Sequence, residues 1–323
     1  MFERLKASAV HVAAKRIAAH IKRTPLVRNV SLSRIARADV FLKLENEQTT
    51  GSFKLRGALN SLSALAAEQR KVGVVASSAG NHGLGVAYAA KALGIPARIY
   101  VPASAPDVKK SGIRSLGAEL DDSSQDYDVA MSVAKAWGAK HDRTYINPCL
   151  GDELLAGQGT VALEIIEELP ELRSLVVNVG GAGLLGGCAS LLRAEKPRVR
   201  IYGAQSVNTA AMTESLRAHH VVPIANVATL ADGLAGQIDD DALDIGVHGL
   251  DDIVALPEEE IASAIAWFAN EYDARVEGAG ACGIAALLSG KLKPEGPCAV
   301  VVSGGNIDAA RWQSIVQPRP TSP

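Results

Sequence analysis

The sequence lacks an excess of either charge. Its 323 residues carry 33 Lys and Arg against 35 Asp and Glu, a formal net charge of −2. The cationic stripe that binding to a phosphate backbone needs is missing, which excludes nucleic acid as a partner. No apolar run approaches the ~18 residues of a membrane-spanning helix, so no membrane association of that kind is expected. Cysteine is scarce: Cys149, Cys188, Cys282 and Cys298 form no C-x-x-C pair. In their apolar or glycine-rich settings they read as reduced core thiols of a cytoplasmic protein, neither a disulfide frame nor a zinc site. No low-complexity tract or long repeat is present. The N-terminal stretch alternates Ala with basic residues, as a targeting peptide does. Glu3 interrupts it and no cleavage segment follows, so an amphipathic helix is the better reading.

What the chain does have is apolar material, 48% of its residues, with 21% charged. At this length it forms one large domain or two intimate ones. Short apolar runs at 40–44, 73–76, 97–101, 175–179, 199–204 and 298–303 alternate with helical patterns such as 85–93, 157–168 and 257–272. Several runs are almost continuously apolar, as strands covered on both faces are. The pattern is α/β with mostly parallel sheets. The acidic stretch 121–128 reads as a solvated loop, and the Pro- and Ser-rich tail from Gln317 as frayed.

Ligands of open α/β sheets sit beyond the carboxyl ends of strands, and three such ends carry unusual residues. One strand runs into Gly180, Gly181, Ala182, Gly183 and Leu184. Glycines there let several backbone N–H groups face one anion beside a helix N-terminus, so phosphate is the natural guest; a tight turn for helix–strand packing is the alternative. Gly181, Gly183 and Gly186 also match the dinucleotide fingerprint. That reading needs a carboxylate at the end of the next strand, where Gln205 stands. A second strand runs into Ser77–Gly83, a turn able to cradle a carboxylate, with Asn81 and His82 able to bond a ligand and His82 a possible general base. Helix capping by Ser78 or Asn81 is the plainer alternative. The last strand runs into Ser303, Gly304, Gly305 and Asn306, offering a neutral hydroxyl or simply a turn. Lys54 lies among Gly51, Ser52, Phe53 and Arg56 at a helix start. A helix N-terminus and Arg56 would lower its pKa, as an amine that forms Schiff bases requires, although a lone Lys is ordinarily a solvated surface residue.

Together, in order and spacing, these segments resemble the fold type II pyridoxal-phosphate enzymes, in particular the threonine/serine dehydratase and serine racemase group. The resemblance runs from Thr24 to Asp308 and includes 43–46, 52–58, 78–83, 156–160, 180–184, 231–233, 277–281 and 303–308. It implies a two-domain α/β fold (tryptophan synthase beta-like), with parallel sheets and helices on both faces. Residues 1–50 plus 146–323 would form the large cofactor-binding domain, and 51–145 a small mobile domain inserted in it. Lys54 would carry pyridoxal 5′-phosphate and shuttle the Cα proton, with Phe53 near the ring. Gly180, Gly181, Ala182, Gly183 and Leu184 would hold the phosphate, Asn81 the ring hydroxyl and Ser303 the ring nitrogen, while Gly233 and Glu277 would line the cofactor's edge. Ser78, Ala79, Gly80, Asn81 and His82 would receive the substrate carboxylate. The implied reaction removes water from an L-3-hydroxy amino acid, giving a 2-oxo acid and ammonia. Amino-acid racemisation, β-replacement and a non-catalytic cofactor-binding protein are the alternatives. A homodimer is implied by the same resemblance.

Several positions depart from the group's pattern. Ala182 stands where most relatives have a third loop glycine, which is tolerable if its φ is negative. Ala79 replaces the serine that racemases place before Gly-Asn-His, which favours a lyase. Gln205 and Ala211 occupy positions where metal-binding relatives carry Glu and Asp, so no such metal site is expected. The segment 147–152, Asn-Pro-Cys-Leu-Gly-Asp, differs from the His-Pro type of threonine dehydratases, and leaves open which 3-hydroxy amino acid is the substrate. The chain stops soon after Asn306, so a C-terminal regulatory domain is not expected.

Overall fold

The computed structural model describes residues 5–78, 80–105, 107–225 and 227–317. Among the described residues, ten strands form two sheets. They are β1 (Leu26–Arg28), β2 (Val40–Lys43), β3 (Val74–Ser77), β4 (Ala97–Pro102), β5 (Glu119–Ser124), β6 (Thr144–Tyr145), β7 (Ser174–Asn178), β8 (Arg200–Ser206), β9 (Asp252–Leu256) and β10 (Cys298–Val301). The larger sheet has the order β1-β2-β10-β7-β8-β9, and the smaller β5-β4-β3-β6. Every pairing is parallel except β1 with β2. Helices cover the sheets, and β3, β7 and β10 are buried along their whole length. That explains the continuous apolar runs: a strand covered on both faces has no solvent side on which to alternate.

Chain order matters for the site. The chain lays down β1 and β2, leaves to build the whole of the smaller sheet between Val74 and Tyr145, and returns at β7. The final strand, β10, then inserts between β2 and β7, pairing Cys298 with Val40 on one side and Ser174 on the other.

Where sequence and structure differ, edges are the reason. The stretch read as a loop at 121–128 is edge strand β5 followed by the helix Tyr127–Lys140, which Asp126 caps by accepting from the Val129 N–H. Asp121 pairs with Arg98, and Asp122 with Lys110 and Arg114. An edge strand accommodates such charges where a central one does not. Strands β1 and β6 are short, lie at edges and left no apolar run to detect; edge strand β9 does carry one, at 253–256, absent from the runs above. The N-terminal helix is present as Ala7–Ile17, burying Val10, Ala13 and Ile17 at helical spacing. Among the described residues, no helix is long and apolar enough to cross a membrane.

The helix Lys54–Ala64 packs against two others, Asn81–Leu93 and Asp152–Glu168. The latter crosses it so closely that a Cβ on Gly157 would lie 2.5 Å from the Arg56 carbonyl. Beneath this crossing lies a buried charge network. Arg56 is fully buried and donates to both oxygens of Glu45, at 2.8 Å each. It donates equally to both oxygens of Glu164, at 2.7 and 2.9 Å. Lys43, also fully buried, adds Glu164 at 2.6 Å and the Thr24 carbonyl at 2.6 Å. Two cations thus balance two carboxylates. Burial works against the Arg56 charge, but Glu45 and Glu164 more than compensate and hold its pKa above the ordinary value. Glu164 is likewise opposed by burial yet kept below the usual carboxylate range by Arg56 and Lys43.

Replacing Arg56 by Met would leave Glu45 and Glu164 facing each other without their shared cation. The expected cost is about 3–5 kcal/mol, read as a lower denaturant midpoint. A loss below about 1 kcal/mol would mean the carboxylates find other partners.

Candidate active site

The carboxyl ends of β3, β7 and β10 meet around the start of the Lys54 helix. The end of β10 is joined directly to the segment that leads into Lys54. Ser52 bridges to Gly304, the Phe53 N–H donates to the Ser303 carbonyl at 3.1 Å, and the Gly305 N–H donates to the Gly51 carbonyl at 2.9 Å. Lys54 is the first residue of its helix and half-buried. Its Nζ donates to the Pro148 carbonyl at 2.6 Å, lies 4.0 Å from Cys149 Sγ and stands 5.4 Å from the Phe53 ring centre.

Cys149 connects the lysine to the glycine-rich loop. A Cβ on Gly181 would lie 2.5 Å from Cys149 Sγ, and one on Gly183 2.9 Å from its carbonyl. The thiol expected in a core is therefore half-buried between the Lys54 amine and the loop. Cys188, Cys282 and Cys298 are buried as expected; burial pushes the Cys188 thiol up to about 12, and the other two are also raised. Arg56 does not serve Lys54 in the expected way, because its charge is committed to Glu45 and Glu164.

The loop itself turns from β7 into the helix Gly183–Glu195. None of the backbone N–H groups of Gly180, Gly181, Ala182, Gly183 and Leu184 has an acceptor among the described residues. Ala182, tolerable here if its φ were negative, has a φ of +64°. A left-handed alanine costs roughly 1–2 kcal/mol, held here by the turn that starts the helix. Gly180 packs against Leu234, the last residue of a short turn that includes Gly233, and Gly233 lies near Ala279.

Ser303 is buried. Its hydroxyl accepts from Asn178 Nδ2 at 3.2 Å and lies 3.4 Å from the Ala279 carbonyl. Asn81 begins the helix Asn81–Leu93, and its Nδ2 donates to Glu277 Oε1 at 2.6 Å. The Ser78 hydroxyl accepts from the Gly80 N–H at 3.1 Å. Ala79 lies outside the described residues. Gln205 closes its own turn: it donates to the Val179 carbonyl at 2.9 Å and accepts from Thr213.

His82 is buried, with Nε2 3.0 Å from the Ile146 carbonyl and Nδ1 unpartnered among the described residues. Burial, and then the Lys54 cation, push its pKa down to about 3. The ring is neutral, and so weak a base is poorly matched to the general-base role considered for it. Cys149, Asn178, Asn306 and Ser52 were not singled out as site residues from sequence. Asn178 had a signal, since an amide inside an apolar two-faced strand must find partners. It donates to the Gly280 and Val301 carbonyls and to Ser303, and accepts from the Gly283 N–H.

A turn of unpartnered backbone N–H groups at the end of a parallel sheet, facing a half-buried lysine amine, is an arrangement suited to a phosphate-bearing cofactor. The chain belongs to the family of pyridoxal-phosphate dependent enzymes, whose pattern matches residues 17–304. It is 41% identical over 298 residues to the L-threonine ammonia-lyase of Thermotoga maritima, covering 92% of this chain and 74% of that protein. It is 36% identical over 303 residues to the L-threonine dehydratase catabolic TdcB of Staphylococcus aureus, covering 92% and 88%. Among solved structures it resembles maize serine racemase, with a TM-score of 0.91 and 32% identity over 96% of this chain and 97% of that one. It also resembles the processed form of threonine deaminase isoform 2 from Solanum lycopersicum, with a TM-score of 0.87 and 30% identity over 95% and 92%.

The residues present fit pyridoxal phosphate. The five N–H groups without acceptors among the described residues suit a phosphate dianion, and the glycines at 181 and 183 let the loop pack directly on Cys149. Ser52 Oγ, two residues before Lys54, is a further buried polar atom without a partner among the described residues.

The depressed His82 pKa has a testable consequence. The unfolded chain binds this proton near 6.5 and the folded one only near 3. Stability is therefore full above the unfolded value and falls as the pH drops from there toward the folded one, by up to ~1.4 kcal/mol per pH unit. Urea unfolding at pH 7 and pH 5 should show the native protein losing roughly 2 kcal/mol more than a His82→Gln variant. Equal losses would show that His82 is not held neutral.

Proposed function

We propose that the protein is a pyridoxal-phosphate-dependent dehydratase, or ammonia-lyase, that removes water from an L-3-hydroxy amino acid to give a 2-oxo acid and ammonia. The observation that carries this reading is the Lys54 amine, held by the Pro148 carbonyl beside the Gly180–Leu184 cradle. The names of the two similar lyases support the reaction and point to threonine or a related substrate.

Pyridoxal phosphate, when bound, supplies an electron sink for charge developing at Cα. The protein's part is to hold, orient and move protons. The N–H groups of Gly180, Gly181, Ala182, Gly183 and Leu184 would anchor the phosphate at a helix start. Asn81 would donate to the ring hydroxyl, Ser303 would meet the ring nitrogen with a neutral hydroxyl, and Phe53, Gly233 and Glu277 would line the ring. The Ser303 hydroxyl, held by Asn178, would offer that nitrogen no negative charge to keep it protonated. The turn Ser78–His82 would receive the substrate carboxylate. Lys54, released from the cofactor, would take the Cα proton.

In this reading residues 1–50 plus 146–323 form the cofactor-binding domain. Residues 51–145 form a smaller domain that closes on the substrate and excludes water. A cytoplasmic homodimer belongs to the same proposal, on the family resemblance and the unpaired thiols. A second reading, amino-acid racemisation, draws on the likeness to maize serine racemase.

Addition of L-3-hydroxy amino acids to the protein loaded with pyridoxal phosphate should shift its visible absorption and release ammonia and 2-oxo acid in equal amounts. Lys54→Ala should lower that release by on the order of 10³-fold. Spectral shifts with deuterium entering Cα but no ammonia would replace elimination by racemisation. A protein that takes up no pyridoxal phosphate would overturn both.

A further inference from the structure

Four polar groups form a directed relay between the end of β10, the approach to Lys54 and the helix that Asn81 begins. Asn306 Nδ2 donates to the Thr50 carbonyl at 2.8 Å and to Asn81 Oδ1 at 2.7 Å. Asn81 Nδ2 donates onward to Glu277 Oε1 at 2.6 Å. The Thr50 carbonyl sets the direction. It only accepts, so Asn306 turns its nitrogen toward it; the same nitrogen meets Asn81 Oδ1, which leaves Asn81 Nδ2 facing Glu277. Asn306 thereby commits both N–H groups, one to Thr50 and one to Asn81. Asn81 commits its carbonyl to Asn306 and one N–H to Glu277, and its second N–H has no acceptor among the described residues.

The backbone reserves room for this relay. Gly51 has φ +73°, and a Cβ there would collide with Asn306 Oδ1. A Cβ on Gly304 would collide with Glu277 Oε1 and lie 3.2 Å from Asn81 Nδ2. Both glycines belong to the short pairing that brings the end of β10 onto the Lys54 segment.

We propose that Asn306 is a positioning residue: acting through Asn81, it determines that the group offered to the cofactor ring is an N–H donor and not a carbonyl. The inference rests on the placement of Asn81 at the ring hydroxyl proposed above. A donor stabilises the ionised hydroxyl of the ring, whereas a carbonyl repels it. The protonation of the bound cofactor, and hence its visible absorption, therefore depends on a side chain that need not touch the cofactor.

The test uses the protein loaded with pyridoxal phosphate and follows the pH midpoint of its visible band, together with kcat. Asn306→Asp replaces the donor by acceptors and drives the Asn81 amide to turn over. The expected result is a midpoint shift of about one pH unit or more and a kcat lower by about tenfold. Asn306→Ala leaves the amide held by Glu277 alone, without reversing it, and should shift the midpoint less; it also serves if the aspartate variant fails to fold. In an Asn81→Ala background, either change at Asn306 should add nothing further, because the two residues act as one unit. A native-like midpoint in the Asn306 variants, or an effect undiminished without Asn81, overturns the proposal. A native protein with no pH-dependent visible band overturns it together with the cofactor placement. The band needs no turnover, so failure to release ammonia would sink the lyase reading and leave this one standing.

Discussion

Everything at the site is measured from one buried guanidinium. Arg56 sits two residues after Lys54 and holds four carboxylate oxygens from two different parts of the chain, the turn after β2 and the helix Asp152–Glu168. Taking two cations and two carboxylates out of water is expensive, and close pairing offsets the cost without producing a large surplus. What the network gives is position. A guanidinium bound by a fork on each side has little freedom to rotate or slide. The first turn of the Lys54 helix is therefore fixed against the larger sheet, and the lysine amine reaches the Pro148 carbonyl and the glycine-rich loop from a rigid base.

From that base the site is assembled by contacts between segments far apart in sequence. Cys149 fills the gap between the amine and the Gly181–Gly183 backbone. Asn178 ties the ends of β7 and β10 to the helix Gly278–Leu288 and holds the Ser303 hydroxyl. Charge is arranged consistently around the amine. His82 is kept neutral by burial and by the Lys54 cation, so it adds no competing positive charge. The unpartnered N–H groups of the loop supply the positive potential that an anion needs.

Much of this was legible in the sequence because backbone requirements write themselves into residue types. Continuous apolar runs marked the strands buried on both faces, and the glycines at 180, 181 and 183 marked the anion turn between strand and helix. The short edge strands β1 and β6 left no such mark, since strands of two or three residues have little hydrophobic pattern to read. At β5 acidic residues concealed a strand because their partners, Arg98, Lys110 and Arg114, come from other elements. Arg56 was visible as a neighbour of Lys54, but not the direction in which it points; that depends on Glu45 and Glu164, which only the fold brings near. Cys149 is the same case: a half-apolar residue type whose setting is decided by a segment some 30 positions further on. Ala182 shows the limit in the other sense, since a left-handed alanine is what sequence propensity argues against.

The central place of β10 also has a consequence for how the protein is made. A ribosome releases the smaller sheet as one uninterrupted stretch, so its four strands can pair as soon as they emerge. The larger sheet cannot. Its two halves, β1–β2 and β7–β8–β9, must wait with open inner edges until the final strand arrives between them, bringing Ser303, Gly304 and Asn306 with it. Completion of the core and completion of the candidate site are thus a single event, the arrival of β10. A chain interrupted before residue 298 would keep an exposed parallel seam, which marks it for association with other chains or for degradation.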